Sequence, residues 1–279
     1  MTAVIQKPIS QLKITWPLLP DDFILPDDPV ENIEHPLIAN GLRQSVVDSE
    51  LIQDALIVSN FALCAAVDDR TICKAPDWMY VRPVQPWPHN EPRRSYTPHT
   101  EGTVPLVVME FLSATYGDEY SVEHTEKIGK WFFYEQVIKV PRYVIFQPHT
   151  GRIEVHALES ERYDNQNPDE NGRYLIPGLD LFLGVWQGTR EGRTGNWLRW
   201  WNRAGELLLW PEERAEAERQ RAEAESQRAE AESQRAEAES QRADREQQDK
   251  ESAQTLLEQE RQRNQELLAR LAALGIDPE

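Results

Sequence analysis

Cysteine is scarce in this chain of 279 residues: only Cys64 and Cys73 occur, nine positions apart, with no second pair and no histidine at zinc spacing. That excludes a disulfide framework and a structural zinc site as organising devices, and it leaves two buried free thiols as the expectation. Long apolar runs are also missing. No stretch approaches the roughly 18 apolar residues of a membrane span, and the first twenty residues lack a basic segment followed by an apolar core, so a cytoplasmic protein is expected. Positive charge is in deficit too, with 30 Lys and Arg against 48 Asp and Glu, net −18. From Pro211 onward there are 19 acidic and 11 basic residues, net −8, which leaves −10 for the first 210 residues. Both parts are acidic, which argues against a protein that coats nucleic acid non-specifically through clustered cations. A local basic patch or a bound metal ion can still hold a phosphate.

Proline is plentiful at first. Pro8, Pro17, Pro20, Pro26, Pro29 and Pro36 interrupt residues 1–40 among Asp21, Asp22, Asp27 and Asp28, so neither a helix nor a central strand can run far and an extended arm is predicted. From His35 to Ala66 the spacing of Leu42, Val46, Val47, Leu51, Ile52, Leu56 and Val58 suggests helical packing, with 61–67 ambiguous and Asp68-Asp69 marking a turn. Trp78-Met-Tyr-Val81 and Leu106-Val-Val-Met109, which continues into Glu110, read as strands buried on both faces. The proline-rich stretch from Pro83 to Thr103 between them reads as a solvated surface loop. Ser121 to Ile138 reads as a helix with Glu123, Lys127, Lys130 and Tyr134 on one face. Arg142 to Gln147 and Arg152 to Leu158 flank the turn Pro148-His-Thr-Gly151 and predict a hairpin. A strand region over 174–185 and a second hairpin over 197–210 close a domain spanning 41–210.

At Pro211 the composition changes within two residues. Proline at the first helical position, followed by Glu212 and Glu213 where the helix dipole favours negative charge, starts a helix predicted to run over 211–274. Arginine recurs at 214, 221, 228, 235 and 242, and Ala222, Ser226, Ala229, Ser233, Ala236 and Ser240 alternate spacings of four and three. This is a heptad stripe of small residues, so a coiled coil and a homo-oligomer are expected. The larger apolar side chains, Leu256, Leu257, Leu267, Leu268, Leu271 and Leu274, place the strongest association near the C-terminal end.

Three positions arrive in an order that phosphodiester chemistry can use. Asp77 opens one strand, Glu110 lies inside the next, and Lys127 or Lys130 follows on a helix. Two carboxylates from neighbouring strands can share a hard cation such as Mg2+, while a lysine orients the attacking water or offsets developing charge. Glu110 is the most informative of these, because an unpaired carboxylate in an apolar strand costs several kcal/mol. A structural salt bridge to Lys127 or Lys130 would satisfy it equally well, and Pro76-Asp77 is also ordinary turn chemistry.

These segments carry a resemblance. Pro76-Asp77, Leu106-Val-Val-Met-Glu110-Phe-Leu-Ser113, Lys130-Trp-Phe-Phe-Tyr134 and Val140-Pro-Arg-Tyr-Val-Ile-Phe-Gln-Pro148 together resemble the Uma-type endonuclease family of the PD-(D/E)XK restriction-endonuclease-like superfamily, in order and spacing. The tail after Trp197 resembles the tail common among its members. The resemblance implies an α/β fold with a mixed-sheet core and flanking helices, a DNA substrate, a Mg2+ or Mn2+ cofactor, Asp77 and Glu110 as metal ligands and Lys130 as the catalytic lysine. The alternative function is a catalytically inactive nuclease fold acting as a scaffold through its coiled coil. The chain departs from the family pattern in four places. Leu112 stands where the superfamily motif has its lysine, Gln147 replaces an aspartate, Arg142 replaces a glutamate, and no Glu-x-x-x-Gly strand is found before residue 40.

Overall fold

In the computed structural model, residues 33–273 are described except 48, 68–69, 89, 114–117 and 124–127. The predicted arm therefore lies almost wholly outside the described residues, and so does Lys127. The chain divides into two compact units at Pro211.

The first unit is built on a six-stranded mixed sheet in the order β1-β4-β6-β7-β8-β9. Its strands are β1 (Leu56–Val58), β4 (Trp78–Val81), β6 (Val107–Phe111), β7 (Arg142–Gln147), β8 (Arg152–Glu159) and β9 (Arg162–Asn165). Every residue of β4 and β6 is buried, as expected for strands covered on two faces. Only β6 and β7 run parallel; the other pairs in this sheet are antiparallel. A parallel neighbour demands a crossover, because the chain must return to the starting edge before it can run the same way. The β6–β7 crossover carries the helical segment that holds Lys130.

One face of the sheet packs on helix α1 (Glu34–Gln44) and on the three-stranded sheet of β10 (Tyr174–Ile176), β11 (Leu181–Arg190) and β12 (Arg193–Trp201), through Trp78, Tyr80, Met109, Phe146 and Trp200. Arg190 fixes α1 there, donating to the Leu37 carbonyl at 2.8 Å and to Gln44 Oε1. Its guanidinium occupies the space that any side chain at Gly41 would need. The other face packs on the crossover helix and on a small sheet of β2 (Ala62–Val67), β3 (Arg70–Lys74) and β5 (Ser95–Tyr96), through Leu63, Tyr96, Phe133, Tyr134 and Tyr143.

Four expectations are corrected. Helical packing does not extend from His35 to Ala66: α1 starts inside the expected arm and ends at Gln44, and Leu56–Val58 is a strand because it finds a hydrogen-bonding edge on β4. Tertiary pairing here outweighs an apolar spacing that suits either period. The helix expected over 121–138 begins only at Lys130, as one α-helical turn, α2 (Lys130–Phe132), followed by a π-helix over Phe133–Ile138. Upstream, the Ser121 and Glu123 carbonyls accept from Phe132 and Gly129 instead of continuing a helix. The stretch from Pro83 to Thr103 is not wholly solvated, since Ser95 and Tyr96 pair with β2 and Tyr96 is fully buried. Finally, Cys64 and Cys73 are not free thiols. They are directly opposite across β2 and β3, 4.2 Å apart at Cα, and joined by a disulfide. The hairpin register brings together two cysteines whose sequence spacing carries no such signal.

Helix α3 (Pro211–Ala273) has 63 residues, a length of about 95 Å at 1.5 Å per residue. Leu256, Leu257, Leu267 and Leu268 are each about half exposed or more along it. No helix among the described residues is long and apolar enough to cross a membrane.

Candidate active site

Strand register builds the site. Trp78 faces Met109 across β4 and β6, so one further residue along the antiparallel ladder sets Asp77 opposite Glu110. Directly opposite residues of an antiparallel pair share a face, with Cβ atoms about 4.5–5.5 Å apart. The Phe111 amide donates to Asp77 Oδ2 at 2.5 Å, which anchors the aspartate at the strand end. Glu110 points away from the α1 face, toward the crossover helix, and its side chain is 0% exposed.

Both oxygens of that buried carboxyl have donors. Lys130 Nζ donates to Oε2 at 2.8 Å, and the Tyr134 hydroxyl donates to Oε1, also at 2.8 Å. The two donors are four residues apart at the join of the α-turn and the π-helix, and both reach one side chain on the sheet below. π-helical turns of this kind are rare and often lie at functional sites. Gly129, just before Lys130, packs so closely on Ser121 that a methyl group there would overlap the Ser121 backbone carbonyl. This close approach sets where the helix starts and hence where Lys130 sits.

Electrostatics at the site are those of a carboxyl held against its solvation preference. Burial raises the Glu110 pKa to about 8, with nearby Asp77 adding to the rise, while Lys130 and Tyr134 pull it down. Burial also acts to lower the Lys130 pKa, but Glu110, assisted by Asp77 and Glu119, outweighs it and leaves the ammonium above its ordinary value. Glu110 is wholly enclosed whereas Lys130 keeps 21% of its side chain exposed, so burial weighs more heavily on the carboxyl than on the ammonium. Tyr134 is pushed well above the ordinary phenol value, first by burial and then by Glu110, so it stays a donor.

Three residues around this core were not singled out as site residues from the sequence. Glu119 lies on a single 3-10 turn (Asp118–Tyr120), its Oε1 3.9 Å from Lys130 Nζ. Tyr143 donates from β7 to the Glu119 carbonyl at 2.9 Å. Trp131 stacks on Tyr120 and meets Tyr143, His156 and Tyr163 edge-on. Sequence alone flagged Tyr134 by its position on the Lys130 face and as the end of the Lys130-Trp-Phe-Phe-Tyr134 segment that carries the resemblance. Glu119 had no signal, because its place depends on how the crossover folds back.

Residues 43–190 match the model of the Uma2 family, described as "Putative restriction endonuclease". The chain belongs to this family. Uma2 is part of the PD-(D/E)XK-like nuclease superfamily, and the mixed sheet with its helices is consistent with a restriction-endonuclease-like α/β fold. Nuclease families of this kind generally use divalent metals and act on DNA. No curated protein matches the chain.

Asp77 and Glu110 are the candidate ligands for such an ion. Both are hard oxygen donors on one face, and each Glu110 oxygen keeps a lone pair beyond the hydrogen bond it accepts. Among the described residues no group of three or more His, Cys, Asp or Glu is gathered. Two carboxylates with the rest of the shell left to water is a donor set that Mg2+ accepts, because it sheds its waters reluctantly.

Proposed function

We propose that this domain is a metal-dependent endonuclease that hydrolyses DNA phosphodiester bonds, with Asp77 and Glu110 holding Mg2+ or Mn2+ and Lys130 as the catalytic lysine. The observation that carries the reading is Glu110, a carboxyl with no exposed surface placed in register with Asp77 and touched by Lys130 at 2.8 Å. A purely structural ion pair explains the contact with Lys130. It does not by itself call for a second carboxylate on the same face, where Asp77, anchored by the Phe111 amide, makes ionisation of the first harder. A divalent cation compensates both charges, and when bound it supplies Lewis acidity toward the scissile phosphate. Asp77 and Glu110 hold and orient it. Lys130 orients the attacking water or offsets charge building on the phosphate oxygens, and Tyr134 keeps the Glu110 carboxylate from rotating. Incubation of the whole chain with plasmid DNA and Mg2+ or Mn2+ tests the proposal. Cleavage that falls at least a hundredfold in Glu110→Ala supports it; cleavage unaffected by that change, or absent throughout, leaves the inactive scaffold.

The long helix serves self-association in this reading. Leu256 and Leu267, and likewise Leu257 and Leu268, are 11 residues apart, close to three helical turns, so each pair recurs on one side of the helix. Their exposure in a single chain favours a second copy as the cover. The cytoplasmic location expected from the sequence belongs to this proposal.

A further inference from the structure

Strand β1 ends the six-stranded sheet. Its partner is β4, and among the described residues no strand pairs with its other edge. A free edge offers backbone donors and acceptors to any extended segment that reaches it. Two clefts flank this one. The first, of about 290 Å3, is walled by Ala39, Ile57, Phe61 and Trp78, with the exposed Arg43 beside them. The second, of about 380 Å3, is lined by Leu56, Val84 and Pro86 together with Asp54 and Gln85. Ile57 packs with Trp78 and α1, whereas Leu56 packs against the cluster on the other side of the sheet. A strand laid along β1 would therefore send alternate side chains toward the two clefts.

The sequence holds a segment suited to that edge, outside the described residues. Before α1 the longest run without proline is Ile9 to Trp16, so each of its residues has the N–H that a ladder requires. Leu12, Ile14 and Trp16 alternate with Lys13 and Thr15, the period-two pattern of a strand with one apolar and one polar side. The apolar side suits the first cleft, and Lys13 on the polar side suits the Asp54 carboxylate of the second. Reach is ample. The 16 residues between Trp16 and Ile33 span up to roughly 50 Å when extended, and α1 carries the chain only about 10 Å from Ile33 to the turn that lines the first cleft.

We infer that residues 12–16 of the same chain dock on the free edge of β1 as an added strand, with Ile14 opposite Ile57, its apolar side toward the first cleft and Lys13 and Thr15 toward the second. Main-chain hydrogen bonds hold such a segment, and the clefts select its alternate side chains. Hydrogen exchange of the whole chain, read by mass spectrometry, tests this with wild type, Ile14→Asp and Ile14→Val. In wild type the amides of residues 12–16 should exchange at least about tenfold more slowly than in an unstructured peptide. Ile14→Asp, which sets a carboxylate against the apolar cleft, should abolish that protection and speed exchange over residues 55–60 about threefold, while Ile14→Val should change both less than about twofold. Residues of β6 and β7 should keep their wild-type exchange throughout. No protection over 12–16 in wild type overturns the inference. Protection there, with residues 55–60 indifferent to Ile14→Asp, seats the segment elsewhere and overturns it too, as does a change that extends to β6 and β7. Protection that disappears on dilution assigns the edge to the segment of a second copy and overturns docking within one chain.

Discussion

Replacing Glu110 by glutamine should flatten the stability of the first unit against pH, by an amount that follows from the burial of one side chain. Burial lifts this carboxyl from 4.5 to about 8. Across that window the native state keeps a proton that the unfolded chain has released. A group whose folded pKa is raised stabilises fully below the unfolded value, and that contribution is lost as pH rises through the folded value. Each pH unit inside the window is worth about 1.4 kcal/mol, so between pH 5 and pH 8 wild type should lose roughly 3 to 4 kcal/mol through Glu110 alone, after allowing for partial titration at both ends. Glutamine keeps the shape and a hydrogen-bonding oxygen but cannot ionise. His156 shifts the other way, since burial lowers its pKa despite Glu154 beside it, but it is common to both proteins and cancels in their difference. The assay is urea unfolding of wild type and Glu110→Gln at pH 5, 6.5 and 8, followed by tryptophan fluorescence, which reports the nine tryptophans. The wild-type midpoint should fall relative to the variant as pH rises. Parallel midpoints across the three pH values would refute the idea that Glu110 is held against its ionisation, whatever the absolute stabilities.

Gly129→Ala should cost about 1–3 kcal/mol, as overpacking does, and should reduce any cleavage activity more than it reduces the melting temperature suggests, because the shift passes directly to Lys130. Ser121→Gly should not restore it, since the nearest obstacle is the Ser121 backbone oxygen; thermal melts of the single and double variants check this. For the long helix, light scattering at tens of micromolar should find an oligomer in the whole chain and a monomer when Leu256, Leu257, Leu267 and Leu268 are all changed to Gln. A wild-type monomer under those conditions removes self-association.

Strand content was legible where residues are buried on two faces. Trp78 to Val81 and Val107 to Phe111 are uninterrupted apolar runs except for Glu110, and their short length and β-branched content, not their periodicity, mark them as strands. The parts that misled are those whose conformation is decided by distant partners. Leu56 to Val58 has an apolar pattern compatible with a helix and becomes an edge strand only because β4 offers its backbone. Cys64 and Cys73 are equidistant from the midpoint of 68 and 69, so the Asp68-Asp69 turn signal combined with antiparallel pairing would have set them opposite each other; cysteine counting alone does not use that geometry. Of the site, Asp77, Glu110 and Lys130 were legible through order and motif, whereas Glu119 depends on the backbone of an irregular segment that no periodicity describes.

The arrangement also explains why Leu112 can occupy the place where the superfamily motif has lysine. Two residues beyond Glu110 on a strand, position 112 lies on the same face as the carboxylate. In this chain that face is covered by the crossover helix, and Leu112 is 6% exposed within the apolar cluster of Phe133, Tyr134 and Ile145. A lysine there would carry its stem through this apolar cluster toward a small opening lined also by Tyr120, Gln147, Arg152 and Glu154. Lys130 reaches the same carboxylate from the helix above while leaving a fifth of its side chain in solvent, so the ammonium keeps part of its hydration. Leu112→Lys combined with Lys130→Ala separates the possibilities. If only the location of a positive charge near Glu110 matters, the relocated lysine should recover cleavage to within about tenfold of wild type. If the partial exposure of Lys130 matters, the double variant should stay as inactive as Lys130→Ala and be less stable by a few kcal/mol.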